Sequence, residues 1–397
     1  MWAGRHVVVG VTGGIASYKS CHLVRRLTEA GARVDVVMTR GAAEFVRPLT
    51  FEALSGRPVL TSLWEPDRAL AHVRLGREAD LIIVAPATAH LVARLAHGMA
   101  DDFLTALVLA ATAPVLLAPA MNDEMYAAPP TEANLANLVR RGFGVVGPER
   151  GPLAEGHTDR PGRMSEPETI LHHAIRLLKR GSAWAGRRVV VTAGPTREPL
   201  DPVRVVTNRS SGKMGHRLAQ AAWYRGAEVT LISGPTSEPE PIGVQVERVE
   251  TTAELKAAVA RALPGADVLV MAAAPADYRP AGALDRKRPR QDGPLNVAME
   301  PTEDVLLGTK TLRKTGAVIV GFALETGEAT EKAAAKLVRK DLDLIVANDA
   351  LEPGAGFEVD TNRVTVLDRD GGRHQLPFGT KAEVAEGILD LVEVRLG

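Results

Sequence analysis

The sequence predicts two doubly wound, mostly parallel-sheet α/β domains in tandem, and three observations carry that prediction. The two halves open alike, since Arg5-His6-Val7-Val8-Val9-Gly10-Val11-Thr12-Gly13-Gly14 parallels Arg187-Arg188-Val189-Val190-Val191-Thr192-Ala193-Gly194. Each is a short β-branched run that ends at glycine and leads into a helical pattern. A later apolar run in each half follows an Ala-Asp pair, Ala79-Asp80 and Ala266-Asp267. Continuous apolar runs alternating with helical periodicity are expected of strands covered on both faces, as in parallel sheets.

A chain of 397 residues with 45% apolar content can bury a core in each half. Lys plus Arg equals Asp plus Glu, 48 each, so no global basic field draws in nucleic acid or an anionic membrane. The one dense basic run, Arg286-Lys287-Arg288-Pro289-Arg290, is local. The single cysteine, Cys21, excludes intramolecular disulfides and cysteine-rich zinc sites, and its helical setting reads as a small buried apolar position. The chain opens directly into a strand pattern without a signal-peptide pattern, and no apolar run reaches membrane-spanning length. The expectation is a soluble, cytoplasmic protein.

In the first half, strands are predicted at 5–11, 33–38, 80–85, 114–118 and 143–147, with helices at 15–30, 88–97, 101–112, 131–141 and 167–180. Open α/β sheets bind ligands at the carboxyl ends of their strands. Four such ends are informative: Thr12-Gly13-Gly14-Ile15, Met38-Thr39, Ala85-Pro86-Ala87-Thr88 and Pro119-Ala120-Met121-Asn122. Small and hydroxyl residues recur there, and no carboxylate follows the second strand to bond a ribose diol. The glycines also miss the G-x-G-x-x-G spacing. A mononucleotide with a phosphate tail fits better than a dinucleotide. His72 lies just before the third strand, and the Gly- and Pro-rich stretch from Gly147 to Met164 reads as an unstructured lid.

Arg180 to Gly186 reads as a linker, giving domains at 1–181 and 186–397. The second half predicts strands near 187–193, 228–233, 244–249, 266–273, 317–323 and 342–347, and helices at 214–225, 252–263, 303–313, 328–340 and 380–395. Asn362 to Leu376, turning at Gly371-Gly372, reads as a closing β-hairpin. Asn208-Arg209-Ser210-Ser211-Gly212-Lys213-Met214-Gly215 joins a loop to a helix, where backbone N–H groups and the helix dipole hold anions and Lys213 adds charge. A Ser-rich N-cap on an ordinary helix is the plainer alternative. Polar strand ends at Ala276-Asp277-Tyr278-Arg279, Gly321 to Thr326 and Ala347-Asn348-Asp349 point to a nucleotide. Lys336 and Lys340, one helical turn apart, read either as a solvated helix face or, together with the 286–290 run, as cations for a triphosphate.

Taken together, these strings resemble the bacterial bifunctional phosphopantothenoylcysteine decarboxylase and phosphopantothenate–cysteine ligase family of coenzyme A synthesis, over nearly the whole chain. The flavoprotein-type likeness of the first Rossmann-like domain rests on Gly13 to Lys19, Ala85 to Ala89 and Pro119 to Tyr126. The ligase-type likeness of the second rests on Thr192 to Arg204, Asn208 to Gly215, Ala276 to Arg279 and Gly321 to Thr326.

For the first domain the resemblance implies FMN at Gly13, Gly14, Thr39, Pro86 and Thr88, an active-site histidine at His72, and a carboxylate-binding asparagine at Asn122. It also implies oxidation of a cysteinyl thiol to a thioaldehyde, loss of CO2, and reduction of the resulting ene-thiol with a proton from an acid. The family's lid carries that acid as a cysteine in a Leu-Ala-Cys-Gly setting. This chain reads Leu153-Ala154-Glu155-Gly156. Glu155 is expected to stand in as the acid, with His157 and Asp159 as nearby alternatives. The competing reading is a flavin domain that stops at the ene-thiol or serves as a flavin-bound scaffold.

For the second domain the resemblance implies that the carboxylate of 4'-phosphopantothenate attacks CTP. An acyl-cytidylate forms, which the amine of cysteine then opens. CTP contacts carry over to Asp277, Lys287, Glu303, Asp304, Val305, Leu306, Phe322, Lys336 and Lys340. Asn208 would handle the acyl-cytidylate, and Ser210, Ser211, Gly212 and Lys213 would grip the substrate's phosphate. Mg2+ is implied, with no ligands assigned. Two local departures stand out: Lys287-Arg288-Pro289-Arg290 replaces a lysine-rich loop, and Thr302-Glu303-Asp304 replaces Asn-Pro-Asp. The resemblance further implies a homo-oligomer with trimer-based flavin domains and paired ligase domains.

Overall fold

The computed structural model describes all residues except 65–69, 157, 182, 290, 292, 326–328, 350–353, 355 and 357–358. It divides into two compact units, Met1–Lys179 and Arg180–Gly397.

The first unit runs β1 (His6–Val11), α1 (Ser17–Glu29), β2 (Arg33–Met38), α2 (Pro48–Ser55), α3 (Ala71–Glu78), β3 (Leu81–Ala87), α4 (Ala89–Ala96), α5 (Phe103–Ala110), β4 (Val115–Pro119), α6 (Asp123–Ala127), α7 (Pro129–Arg140), β5 (Gly144–Val145), β6 (Glu149–Arg150), β7 (Pro161–Arg163) and α8 (Pro167–Lys179). A parallel sheet in the order β2-β1-β3-β4-β5 forms its centre. Alternate residues of β1 serve opposite faces. Val7, Val9 and Val11 pack with Leu23, Leu27 and Ile170 of α1 and α8, while Val8 packs with Leu104 and Leu107 of α5. A Cβ at Gly10 would lie 2.6 Å from Leu104 Cδ1, so the glycine admits α5 to the sheet.

The sequence reading missed α2 and α3. Gly76 lowers the helix propensity of Ala71–Glu78, yet a Cβ there would lie 3.1 Å from the Leu107 carbonyl, so the glycine lets α3 rest on α5. The 147–164 stretch, read as unstructured, contains the antiparallel pair β6–β7.

The second unit runs β8 (Arg188–Ala193), β9 (Arg197–Pro199), β10 (Val205–Thr207), α9 (Lys213–Tyr224), β11 (Glu228–Ser233), β12 (Gln245–Arg248), α10 (Thr252–Ala262), β13 (Val268–Met271), β14 (Tyr278–Pro280), β15 (Met299–Pro301), α11 (Val305–Gly308), β16 (Val318–Glu325), α12 (Ala329–Arg339), β17 (Leu344–Asp349), β18 (Thr361–Asn362), β19 (Thr365–Asp368), β20 (Arg373–Gln375), β21 (Gly379–Thr380) and α13 (Lys381–Glu393). Its main sheet, β12-β11-β8-β13-β16-β17-β19-β20, is parallel up to β17 and closes with the antiparallel hairpin β19–β20. The helix expected at 303–313 is instead the short α11 and a 3-10 turn at Lys310–Leu312.

Helices α9 and α13 cover one face of this sheet together. Leu218 and Ala222 pack with Ile388, Leu389, Val189 and Val191 in one cluster. A Cβ at Gly215 would lie 2.5 Å from Ala193 Cβ and 2.7 Å from the Thr192 carbonyl, so only glycine lets α9 sit this close to β8. At the far end, buried Arg225 donates to Glu386, Asp390 and Glu393 at 2.8, 2.6 and 3.0 Å, and lies over Trp184. Trp184, from the stretch read as a linker, is fully buried and donates to Glu393 at 2.7 Å. These bonds fix the register of α13 against α9.

Candidate active sites

In the first unit the carboxyl ends of β1, β2, β3 and β4 open on one cavity of about 760 Å3. Its wall includes Gly13, Gly14, Thr39, Thr88, Asn122 and Glu155. Thr12 ties two of these ends together: its hydroxyl donates to the Pro86 carbonyl at 2.7 Å and accepts from the Thr88 N–H at 3.3 Å. Pro86 therefore stands behind the wall. A Cβ at Gly13 would lie 2.8 Å from the Gly41 backbone, so that glycine is needed for chain packing. A Cβ at Gly14 would meet only ordinary contacts, 3.7 Å to Thr88 and 3.8 Å to Pro86. Its absence leaves bare backbone toward the cavity. The first turns of α1 and α4 also face this space through Tyr18, Lys19, Ala89 and His90. The cavity's size and exposed helix starts fit a phosphate-bearing flavin.

Asn122 is positioned by its own helix. Its Oδ1 caps α6, accepting from the N–H groups of Glu124 at 2.9 Å and Met125 at 3.3 Å. With the oxygen so engaged, the amide NH2 points the other way and donates to the Glu155 carboxylate. Glu155 sits at the tip of a tight lid turn closed by reciprocal backbone bonds between Leu153 and Gly156, 2.8 and 3.2 Å long. The lid segment before β7 is held by Thr158 donating to Asp123 at 2.6 Å and by Arg160 pairing with Glu124 at 2.6 Å. The Thr158 hydroxyl holds the Asp123 carboxyl below its usual range. Asp159 is exposed and does not line the cavity, and His157 lies outside the described residues.

His72 is not brought to this cavity within the chain. It sits near the start of α3 with its ring edge-on to Phe103, centroids 6.2 Å apart, and its Nδ1 is buried without a partner among the described residues. Cys21 is on α1 and also off the cavity wall, its thiol pushed up by burial.

The second unit has a cavity of about 400 Å3 at the carboxyl ends of β13, β16 and β17. Asn208, Ser210 to Lys213, Asp277, Phe322, Lys336 and Lys340 all line it. Gly212, in the left-handed region at φ +80°, begins α9 with no side-chain cap. The Ser210 and Ser211 hydroxyls accept long bonds from Gly212 and Lys213, 3.4 and 3.5 Å. Asn208 donates its NH2 to the carbonyls of Ala274 and Pro275 at 3.2 and 3.0 Å. Lys336 pairs with Glu325, and Lys340 with Asp304 at 2.8 Å. Burial would raise the Asp304 carboxyl, but Lys340 and the Leu307 N–H outweigh it and hold it low.

Other carried-over positions do not reach the cavity wall. Lys287 is exposed on its loop, Glu303 pairs with Lys256, and Val305 and Leu306 are buried in the core. Thr326 lies outside the described residues. Conversely, Asn362 and Lys381 line the cavity and were not singled out as site residues. Asn348 donates to Asn362 at 2.8 Å, and its own Oδ1 is buried without a partner among the described residues. For Lys381 a signal existed: it falls in phase with Val384, Ala385, Ile388, Leu389 and Val392, the buried stripe of α13.

Residues 1–179 match the model described as "Flavoprotein" and residues 184–395 the model described as "DNA/pantothenate metabolism flavoprotein C-terminal domain". The protein named coenzyme A biosynthesis bifunctional protein CoaBC from Mycobacterium tuberculosis is 48% identical over 403 residues, covering 98% of this chain and 96% of its own. Its namesakes from Vibrio cholerae and Escherichia coli are each 44% identical over 398 residues, covering 99% of this chain and 99% and 98% of theirs. Among solved structures, the C-terminal domain of a protein of that name matches at 38% identity and TM-score 0.47, covering 54% of this chain and 98% of its own. The full-length relatives settle the family: the chain belongs to the coenzyme A biosynthesis bifunctional proteins.

Proposed function

We propose that the second unit joins cysteine to 4'-phosphopantothenate through an acyl-cytidylate made from CTP, and that the first unit decarboxylates the product to 4'-phosphopantetheine. The observation that carries the decarboxylase reading is the oriented amide of Asn122. Its oxygen is held by α6, so its N–H groups face a carboxylate in the cavity. A neutral amide recognises a substrate carboxylate without adding the full charge that would hinder its departure as CO2.

FMN would be held by the backbone at Gly13 and Gly14, the hydroxyls of Thr39 and Thr88, and the first turns of α1 and α4. When bound, it supplies two-electron redox chemistry to the substrate's thiol-bearing carbon. The Asn122 amide donates to the Glu155 carboxylate, and a substrate carboxylate bound at the same amide would take that place and leave the lid acid next to it. The saturated product needs one hydrogen as a proton, and the position of Glu155 in the cavity wall supports it as the donor. His72 serves the reaction if α3 of one copy meets the cavity of another. The large apolar side chains Leu49, Trp64 and Leu70, 72%, 89% and 74% exposed, support such an assembly.

In the ligase, Lys336 and Lys340 face developing phosphoryl charge, and Asn208 offers an acceptor to the cysteine amine. Mg2+ would arrive on the nucleotide's phosphates; among the described residues no group of three or more His, Cys, Asp or Glu is gathered to hold a metal. No helix of the described residues is long and apolar enough to cross a membrane, and the reading places both reactions in the cytoplasm. The test is incubation with 4'-phosphopantothenate, CTP, Mg2+ and cysteine, with product masses followed in time. The reading requires 4'-phosphopantetheine; accumulation of a product two hydrogens lighter would show that the lid carboxylate does not complete the reaction.

A further inference from the structure

Lys381 is 4% exposed, yet it stands in the wall of the ligase cavity. It is the first residue of α13, and its backbone N–H donates to the Asp360 carbonyl at 2.9 Å. Its ammonium donates to the Gly356 carbonyl at 2.9 Å. Across from it, Lys213 at the start of α9 pairs with the exposed Asp360 carboxylate at 2.6 Å. The α9–α13 packing thus brings two ammonium groups and two helix starts to one end of the cavity, next to Ser210 and Ser211. A buried lysine in a cavity wall carries a desolvation cost that an apolar residue in the same stripe would avoid, and an anion entering the cavity beside Lys213 and Lys381 would offset it.

We propose that Lys381 is the second cation of the phosphate subsite, gripping the phosphate dianion of the acid substrate together with Lys213 and the Ser210–Gly212 turn. The inference rests on the reading that this turn holds the substrate's phosphate. The charged groups around Lys381 are Lys213 and Arg217 on α9, Asp360 before β18 and Glu238 after β11. His216 on α9 is buried and its Nδ1 donates to the Gly212 carbonyl at 3.0 Å, its ring pushed toward the neutral form by burial. Burial first, then the Lys213 charge, lowers Lys381 to about 8. An arriving dianion favours the charged ammonium. Binding therefore draws one proton from solvent onto Lys381 above that pH, and affinity falls as pH rises through about 8.

The test is steady-state ligase kinetics of the full chain at saturating CTP and cysteine, between pH 6.5 and 9.5. Loss of a charge-assisted bond predicts that Lys381→Met raises KM for 4'-phosphopantothenate about ten- to a hundredfold, with KM for CTP unchanged. Wild-type KM for 4'-phosphopantothenate rises above pH 8, and Lys381→Arg keeps a low KM that is flat over this range. A structural lysine would not move the pH profile, so the arginine variant decides even if the methionine variant folds poorly. An unchanged KM in Lys381→Met, a rise confined to CTP, or a wild-type profile in Lys381→Arg overturns the inference. Lys213→Met separates the two layers. If it too leaves KM for 4'-phosphopantothenate unchanged, the phosphate subsite reading fails; if it alone raises KM, the subsite stands and Lys381 is outside it.

Discussion

Replacing Glu155 with glutamine tests whether the lid carboxylate has taken over the acid's work. Gln keeps the length of the side chain and an oxygen that accepts from the Asn122 amide, so the lid turn closed by Leu153 and Gly156 is retained. The bond lies at an exposed turn, and trading its charged acceptor for a neutral one costs about 1 kcal/mol, which limits any change in KM to under about tenfold. General acid catalysis is worth about 100- to 10,000-fold, or about 3 to 5 kcal/mol of barrier. Glu155→Gln is therefore expected to release CO2 while forming the saturated thiol at least about 100-fold more slowly, so that the ene-thiol accumulates. Anaerobic turnover of phosphopantothenoylcysteine with mass detection reads both products, and Glu155→Cys should restore the saturated one. Equal rates of saturated product in the wild type, Glu155→Gln and Glu155→Ala would refute the assignment.

Three further outcomes follow from particular contacts. Gly215→Ala forces a Cβ against Ala193 and the Thr192 carbonyl and should lower stability by about 1–3 kcal/mol, seen as an earlier thermal transition. Asp35 is buried and accepts from His6 at 2.7 Å and Arg57 at 2.6 Å; burial opposes its charge, but these bonds win and its carboxyl is held low. A lowered folded-state pKa contributes stability above the unfolded value that disappears as pH falls through the folded one. Asp35→Asn should consequently flatten the acid limb of the stability curve below about pH 4, as followed by circular dichroism. His72→Ala and Asn122→Ala chains, each expected to be inactive as a decarboxylase, should regain part of that activity when co-expressed, because a mixed assembly would hold intact cavities; no recovery in a verified mixed oligomer would show that His72 does not reach the cavity of a neighbouring copy.

How much of this was legible beforehand depends on the range of the forces involved. Val7 to Val11 and Val189 to Val191 announce buried strands because burial on both faces demands unbroken apolar runs, and the strand ends then locate both cavities. Asn122 and Asn208, in loops at strand ends, and Lys336, on α12, were singled out with the help of the family resemblance, and each lines a cavity. The helix α3 was hidden by Gly76, whose low propensity is overruled by its close approach to α5, a contact between segments about thirty residues apart. Lys381 carried one sequence signal, its phase with the buried stripe of α13, and nothing that linked it to the cavity. Its neighbours Lys213 and Gly356 are distant in sequence, and a lysine opening a helix ordinarily points to water.

The two asparagines show why residue type alone does not settle a site's chemistry. Asn122 spends its oxygen on the N–H groups that begin α6, so what it presents to the flavin cavity is a pair of donors. Asn208 spends its NH2 on the carbonyls of Ala274 and Pro275, so what remains is an oxygen. A donor suits a carboxylate about to leave as CO2, whereas an acceptor suits an amine that must lose a proton as it attacks an acyl group. The same side chain is thus left with opposite hydrogen-bonding capacity by the backbone next to it. In each case the orienting partners come from a turn at a strand's carboxyl end, which is also where the fold opens its cavity.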